Sequence, residues 1–357
     1  MKVIGIAGTA KNTGKTTTTA ALLQEGYRRH RKMAITSIGY DGEELDNVTG
    51  LPKPRLWLEK GTIVATARKC LALSSADIQV LEDSSIKTAL GTIVIGKVAT
   101  EGLVVIAGPN KAFELVRVKK LLEKYKPNLL FVDGALNRMA PMIETDGLIL
   151  ATGAARQIDP ALLALETSEI STAFRLPLAY FSKLGNQPGF VYWQDNHWHV
   201  KPLAQNLLIT SAEGEELAEL VSSNLKEGTK GYINLPGLVT TKAIDKFLEK
   251  TADQIKGWSI HFRDPVSLLL SSSPREVGQM IEMIQEKGLK AKVRRKIPLL
   301  AVTVNPFFPE YDAGAQLYRS RFLPKGLLES RMYKLPLPVF DVKRKGALYL
   351  WRKSIGF

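Results

Sequence analysis

Residues 8–19, GTAKNTGKTTTT, constrain the fold of this chain more than any other segment. They follow the apolar run VIGIA at 3–7, whose composition is typical of a buried parallel strand. The glycines and threonines of the segment suit neither a hydrophobic core nor the interior of a helix. A helical pattern then begins at Lys15 and continues to Arg31. The sequence therefore predicts a glycine-containing loop between a buried strand and a helix.

A loop of this composition has the chemistry of a phosphate site. Glycines let the backbone curl so that N–H groups point at phosphate oxygens, and the positive end of the following helix adds to the field. A lysine at position 15 can reach the β- and γ-phosphates of a nucleotide, and the Thr16 hydroxyl can ligate Mg²⁺. The predicted nucleotide-binding residues are Gly8, Thr9, Asn12, Thr13, Gly14, Lys15, Thr16 and Thr17. The alternative is a strand-to-helix turn that binds no ligand.

Acidic residues follow two other predicted strands. Asp133 ends the run NLLFVDG at 128–134, and carboxyl ends of strands are where open α/β sheets bind ligands. Asp41 follows AITSIG at 34–39 and is the first acidic residue of YDGEELD. We predict a metal site formed by Thr16, Asp41 and Asp133, with solvated loop acids as the alternative for Asp41. Arg138 is interpreted either as a charge-neutralising residue for phosphoryl transfer or as a structural ion-pair partner.

The spacing GTAKNTGKT resembles the GTxxxxGKT loop of the dethiobiotin synthetase and cobyrinic acid a,c-diamide synthase group of P-loop NTPases. In that group an acidic residue followed by Gly-Ala helps to bind Mg²⁺, as Asp133-Gly134-Ala135 would here. Many relatives carry a second loop lysine that reaches a nucleotide across a dimer interface. Lys11 resembles it, although it stands four residues before Lys15 rather than the usual five. The resemblance implies ATP and Mg²⁺ as cofactors, catalysis by Lys15, Asp133 and Lys11, and leaves a homodimer open.

Together with SIGYDGE at 37–43 and VDGALNR at 132–138, the loop also resembles the P-loop subunit of lysine 5,6-aminomutase reactivases. Those proteins release damaged cobalamin from a cobalamin-dependent mutase. The resemblance implies a protein partner of that kind. It covers residues 1–155 and gives no role to the remainder of the chain.

The expected fold class is α/β. Residues 1–185 are predicted to form a mostly parallel P-loop NTPase sheet flanked by helices. Residues 186–357 are predicted to form a second, smaller α/β domain of unassigned role, beginning with a β-hairpin that turns at Asp195 and Asn196. The segment TIVIGKVATEGLVVIAG at 92–108 predicts a further antiparallel hairpin. The strand-like run LLAVTVN at 299–305 is assigned to the second domain, with Asn305-Pro306 as a turn.

The composition of the chain limits the classes of partner that it is expected to bind. The net charge of +14 favours anionic partners, but the cationic residues are dispersed and not interleaved with aromatic ones, so a nucleic acid is not expected. No apolar run approaches the ~20 residues that span a bilayer, so no membrane is expected. Cys70 is the single cysteine, which favours a cytoplasmic location and excludes a cysteine-dependent amidotransferase in the second half. Cys70 is predicted to be structural, and His197 and His199 to be ordinary strand residues.

The sequence is compatible with three functions. The first is an ATP-driven switch that acts on a protein partner. The second is an ATP-dependent ligase of the dethiobiotin or cobyrinate type, which phosphorylates a small-molecule carboxylate. The third is a nucleotide-binding scaffold without hydrolysis. The sequence favours the switch because the segments next to the loop offer no basic pair for a carboxylate substrate.

Overall fold

The protein is represented by a computed structural model that describes residues 1–41, 56–135, 140–179, 183–204, 208–226 and 228–355. It divides into two compact units. The first unit consists of Met1–Leu165 together with Pro298–Phe357, and the inserted unit consists of Glu166–Ile297. The predicted boundary at 185/186 is therefore wrong, because the last part of the chain returns to the first unit.

The described strands and helices are named in chain order. Up to residue 165 the strands are β1 (Lys2–Gly8), β2 (Met33–Ser37), β3 (Tyr40–Asp41), β4 (Leu56–Leu58), β5 (Ile63–Ala67), β6 (Asp77–Thr88), β7 (Gly91–Thr100), β8 (Gly102–Val104), β9 (Ile106–Ala107), β10 (Leu129–Ala135) and β11 (Gly147–Gly153). The helices are α1 (Lys15–Arg28), α2 (Ala112–Glu123) and α3 (Pro160–Arg175), which continues into the inserted unit. Two short 3-10 helices cover Arg68–Cys70 and Ala140–Glu144.

The strands of the inserted unit are β12 (Gly189–Gln194), β13 (His197–Pro202), β14 (Leu208–Ile209), β15 (Lys230–Asn234), β16 (Leu238–Val239), β17 (Ser259–Phe262) and β18 (Lys290–Val293). Its helices are α4 (Ser211–Ser222), α5 (Thr241–Thr251), α6 (Pro265–Ser271) and α7 (Pro274–Glu286). The returning segment adds β19 (Leu299–Asn305), β20 (Phe307–Asp312), β21 (Leu317–Phe322), β22 (Val339–Phe340), α8 (Leu327–Arg331), α9 (Val342–Lys345) and α10 (Ala347–Ser354).

One large sheet organises the first unit. Within the described residues its nine strands have the order β22-β19-β11-β1-β10-β2-β5-β7-β6. All neighbours from β22 to β5 are parallel, and β7 is antiparallel to both β5 and β6. The expected α/β class with a mostly parallel sheet is thus confirmed. The run LLAVTVN lies in this sheet as β19, because its apolar residues pair in parallel with β11.

The hairpin predicted at 92–108 is wrong. Strand β7 pairs instead with the preceding β6, and Gly96 allows the approach because a Cβ there would lie 2.4 Å from Cγ2 of Ile78. The following residues form β8 and β9, which pair with β4 and β3. Side-chain hydroxyls hold this segment across the strand ends: Thr66 Oγ1 accepts from Ala107 N–H at 2.9 Å, and Ser37 Oγ accepts from Gly108 N–H at 3.1 Å.

Residues from both ends of the chain share the core of the first unit. Helix α1 contacts β1, β10 and β11 and buries Leu22 and Leu23. The returning segment adds Phe340, Leu350 and Trp351 to the same cluster, all of them fully buried. Large apolar side chains of this kind each stabilise the folded state by about 1.5–3 kcal/mol through burial, so the returning segment is an integral part of the first unit.

The inserted unit has its own sheet and core. Its described sheet has the order β13-β12-β15-β17-β18, in which β12 is antiparallel to both neighbours and the remaining pairs are parallel. Strands β12 and β13 form a hairpin whose turn residues Asp195 and Asn196 both have positive φ, as a tight hairpin turn requires.

Among all the helices in the described ranges, none has the length and apolar character needed to cross a membrane.

Candidate functional site

The site lies where neighbouring parallel strands of the first unit end. Gly8, the last residue of β1, is in register with Ala135 of β10 and Ala151 of β11. Asp133 is in register with Ile6 on one side and with Ser37 on the other. The loop after β1 and the acidic end of β10 therefore meet at one edge of the sheet, as their sequence positions predicted.

The loop between β1 and α1 is sharply bent. Asn12 has φ 63° and Gly14 has φ 89°, both in the left-handed region that favours glycine and asparagine. Thr13 Oγ1 donates to the carbonyl of Ala10 at 2.9 Å and closes the bend from within. Helix α1 begins at Lys15 with Gly14 as its N-cap, so the N-cap residue supplies no side-chain acceptor to the first-turn N–H groups. Such a helix start suits an anion.

Hydrogen bonds from neighbouring strands fix the loop in place. The Thr9 N–H donates to the Ala151 carbonyl at 2.9 Å, and the hydroxyls of Thr9 and Thr152 lie 2.9 Å apart in the interior. From β19, the strand beyond β11, Asn305 donates through Nδ2 to the Asn12 carbonyl at 2.8 Å. The sequence predicts a turn of another domain at Asn305, whereas the structure brings this residue to the loop. Its contact with the loop depends on a strand pairing that no local pattern indicates.

The two groups with the strongest expected chemistry are in contact. Lys15 Nζ lies 3.1 Å from Oδ1 of Asp133, and the exposed fractions of these side chains are 20% and 1%. A carboxylate this deeply buried requires a partner, because an uncompensated charge inside a protein is strongly destabilising. The contact holds the ammonium group beside the loop and at the end of β10.

Two oxygen donors suited to Mg²⁺ adjoin Lys15, one on the next residue of the chain and one on the carboxylate that its ammonium group contacts. Thr16 lies in the first turn of α1, half-buried, and its hydroxyl is a hard oxygen donor, as is the carboxylate of Asp133. Mg²⁺ sites usually combine one or two such protein oxygens with water and substrate phosphates. The described ranges contain no group of three or more His, Cys, Asp or Glu side chains arranged to hold a metal. The residue types at the loop fit an ion that is held jointly with phosphates.

The other predicted residues divide into three groups. Thr17, also in the first turn of α1, is half-buried, and Lys11 is exposed on the loop. Asp41 is described through its backbone, which pairs in β3 with Ile106 of β9. Arg138 lies outside the described residues, as do the acidic residues that follow Asp41 at positions 43 and 44.

Cys70 and the histidine pair are accounted for structurally. Cys70 is fully buried, and burial raises the pKa of its thiol, which is the opposite of what a nucleophilic cysteine requires. The rings of His197 and His199 lie 4.0 Å apart, and His199 also stacks on Tyr192 at 4.7 Å. Both histidines thus take part in ring contacts on the β12–β13 hairpin.

Comparison of the chain with protein-family models, with curated proteins and with solved structures returned no match.

Proposed function

We propose that this chain is a P-loop NTPase that binds ATP with Mg²⁺ at residues 8–17 and uses its hydrolysis as a switch on a protein partner. The observation that carries the proposal is the 3.1 Å contact between Lys15 and the buried Asp133, at the strand edge where the bent loop begins. A cation, a buried carboxylate and a helix start beside one glycine-bent loop are the components of a phosphate site.

In the proposed site the backbone N–H groups from Thr13 to Thr16 bind phosphate oxygens. The Lys15 ammonium turns from Asp133 to the β- and γ-phosphates, so that a cation stabilises the charge that develops during transfer. Asp133 and Thr16 would hold Mg²⁺, with Asp41 as the proposed third protein ligand. When bound, the ion supplies neutralisation of phosphate charge. Lys11, exposed on the loop, is proposed to add a second cation beside the nucleotide, in its own chain or across a homodimer.

The switch is proposed over the ligase because of the inserted unit. Residues 166–297 form a separate compact body with its own core, which offers a surface beyond what nucleotide chemistry alone requires. The cationic chain, with a net charge of +14, favours an acidic partner surface. A cobalamin-dependent aminomutase as that partner rests on the sequence resemblance.

Titration calorimetry with MgATP tests the nucleotide site. Lys15→Ala should weaken binding by about 100-fold or more, because charge-assisted contacts to phosphate are lost. Lys60→Ala, at an exposed lysine away from the loop, should bind as the wild type does. Equal affinity of wild type and Lys15→Ala, with both proteins folded by circular dichroism, would refute the site.

Assays of ATP turnover distinguish the switch, the ligase and the scaffold. A slow release of ADP that accelerates when a cobalamin-dependent aminomutase is added supports the switch. Phosphate transfer to a small-molecule carboxylate supports the ligase. Tight binding of MgATP without turnover, alone or with the mutase, supports the scaffold.

A further inference from the structure

Asn305 is held rigidly at the end of β19. Its backbone pairs with Gly153 of β11, and its carbonyl accepts from the Ala154 N–H at 2.9 Å. The strands approach so closely that a Cβ at Gly153 would lie 2.1 Å from the Asn305 carbonyl oxygen. The backbone from which the Asn305 side chain extends therefore has little freedom to move.

The side chain of Asn305 is fixed at both of its polar atoms. Nδ2 donates to the Asn12 carbonyl at 2.8 Å, and Oδ1 accepts from the Phe307 N–H at 3.3 Å. One end needs a donor and the other an acceptor, so the reversed amide orientation would place like groups together at both ends. Asn305 Cβ also packs 3.2 Å from the position that a Cβ would take at Gly14. A single side chain thus binds the Asn12 carbonyl and fills the space beside Gly14, the other positive-φ residue of the loop.

The contact with Asn12 has a consequence for the next amide. A peptide group is planar and trans, so its carbonyl and its N–H point in opposite directions. Because the Asn12 carbonyl points at Asn305, the N–H of Thr13 is directed away from β19. Asparagine enters the left-handed region more readily than other non-glycine residues, and the hydrogen bond from Asn305 to the Asn12 carbonyl restrains the bend there.

We propose that Asn305 is a positioning residue that holds the phosphate loop in its receptive bend before any ligand arrives. The inference rests on the proposed function, since it assigns to Asn305 the preorganisation of that same site. A preorganised loop does not lose conformational freedom when it binds, and this raises affinity without any added contact to the ligand.

The experiment uses Asn305→Ala, Asn305→Asp and a matched control, Asn224→Ala. Asn224 likewise donates from Nδ2 to a backbone carbonyl, that of Leu220, but it belongs to the inserted unit. In the ligand-free protein, amide hydrogen exchange of Thr9 and Thr18, whose N–H groups donate to the Ala151 and Gly14 carbonyls on either side of the bend, should accelerate by about tenfold in Asn305→Ala, which corresponds to the loss of one hydrogen bond. Asn305→Asp should exchange faster still, because its carboxylate faces the Asn12 carbonyl. Unchanged exchange in both variants overturns the inference.

Binding of MgATP, MgGTP and magnesium tripolyphosphate supplies the second measurement. A positioning role predicts that Asn305→Ala weakens every probe that the wild type binds by the same factor, about tenfold, because the loop contacts only phosphates. A loss confined to the nucleotides, with tripolyphosphate unaffected, would mean that Asn305 contacts the base and overturns the inference. If the wild type binds none of the three probes, the proposed function fails, and the exchange measurement still decides the role of Asn305.

Discussion

The hydroxyl oxygens of Thr18 and Thr303 lie 2.8 Å apart in the interior of the first unit, although 285 positions separate these residues in the chain. Thr18 belongs to the second turn of α1, directly after the loop, and Thr303 to β19, the strand that returns after the insertion. The contact ties the helix that follows the candidate site to the last part of the chain. Support for the loop therefore comes from both ends of the sequence.

Thr303→Val should lower the free energy of unfolding by about 1–3 kcal/mol, because it deprives the buried Thr18 hydroxyl of this partner. Thr18→Val should have a similar effect. The double variant should lose less than the sum of the two, since both polar groups are then replaced by apolar ones of the same shape. Urea denaturation of the four proteins measures the cycle. Thr100→Val, at an exposed threonine of β7, should stay within about 0.5 kcal/mol of wild type. Additive losses would contradict a direct hydroxyl contact.

Asp133→Asn should reduce kcat for ATP hydrolysis by about 100-fold or more while changing nucleotide affinity by less than about tenfold. The amide keeps the shape of the side chain but removes the charge that would hold Mg²⁺ near the phosphates. Single-turnover hydrolysis and calorimetry measure the two quantities separately. Asp77→Asn, at an exposed aspartate of β6, serves as the control. Equal losses in binding and turnover would argue against a metal-holding role.

His261 makes the inserted unit sensitive to acid. Its Nδ1 lies 2.9 Å from Asn234 Oδ1, and its Nε2 lies 2.7 Å from Ser259 Oγ. Burial, together with the charges of Lys292 and Arg294, lowers the pKa of His261 from 6.5 to about 4. Between pH 6.5 and about pH 4, the His261 ring is neutral in the folded state but protonated in the unfolded chain. The contribution of neutral His261 to the free energy of unfolding is therefore complete above pH 6.5 and is lost as the pH falls toward 4.

The size of this effect follows from the shift of the pKa. Between about pH 7.5 and about pH 4.5, wild type should lose roughly 2–3 kcal/mol more unfolding free energy than His261→Gln, which cannot titrate there. Urea denaturation at the two pH values measures the difference. Thr100→Val, at an exposed threonine that does not titrate, should show the same pH dependence as wild type. An identical loss in wild type and His261→Gln would show that His261 is protonated in the folded state.

Cys70 should be nearly inert in the folded protein. It is fully buried, and desolvation raises the pKa of its thiol, so both access and thiolate formation are suppressed. We expect its reaction with a thiol reagent at neutral pH to be at least about 100-fold slower than in urea-unfolded protein. Because Cys70 is the single cysteine, a colorimetric assay reports on it alone. Rapid labelling of the native chain would indicate an accessible, reactive thiol instead.

Local patterns predicted those features whose cause is local. A short apolar run is typical of a buried parallel strand, and β1 and β10 are such strands. Gly14 marks a position of positive φ, and α1 begins at the predicted residue, Lys15. Asp133 follows an apolar run and therefore lies near the carboxyl end of its strand. These statements depend on backbone preferences and side-chain periodicity, which a short segment carries within itself.

The sequence by itself thus determined the strand–loop–helix unit and the acidic strand end, because steric and burial preferences act within a few residues. Only the tertiary structure decided which segments meet: that β19 pairs with β11, that β7 pairs with β6, and that Asn305 contacts Asn12. Periodicity reports that a strand is buried but not which strand lies beside it. Partners are chosen by the total burial and hydrogen bonding of the whole chain, and that sum exists only once distant segments have come together.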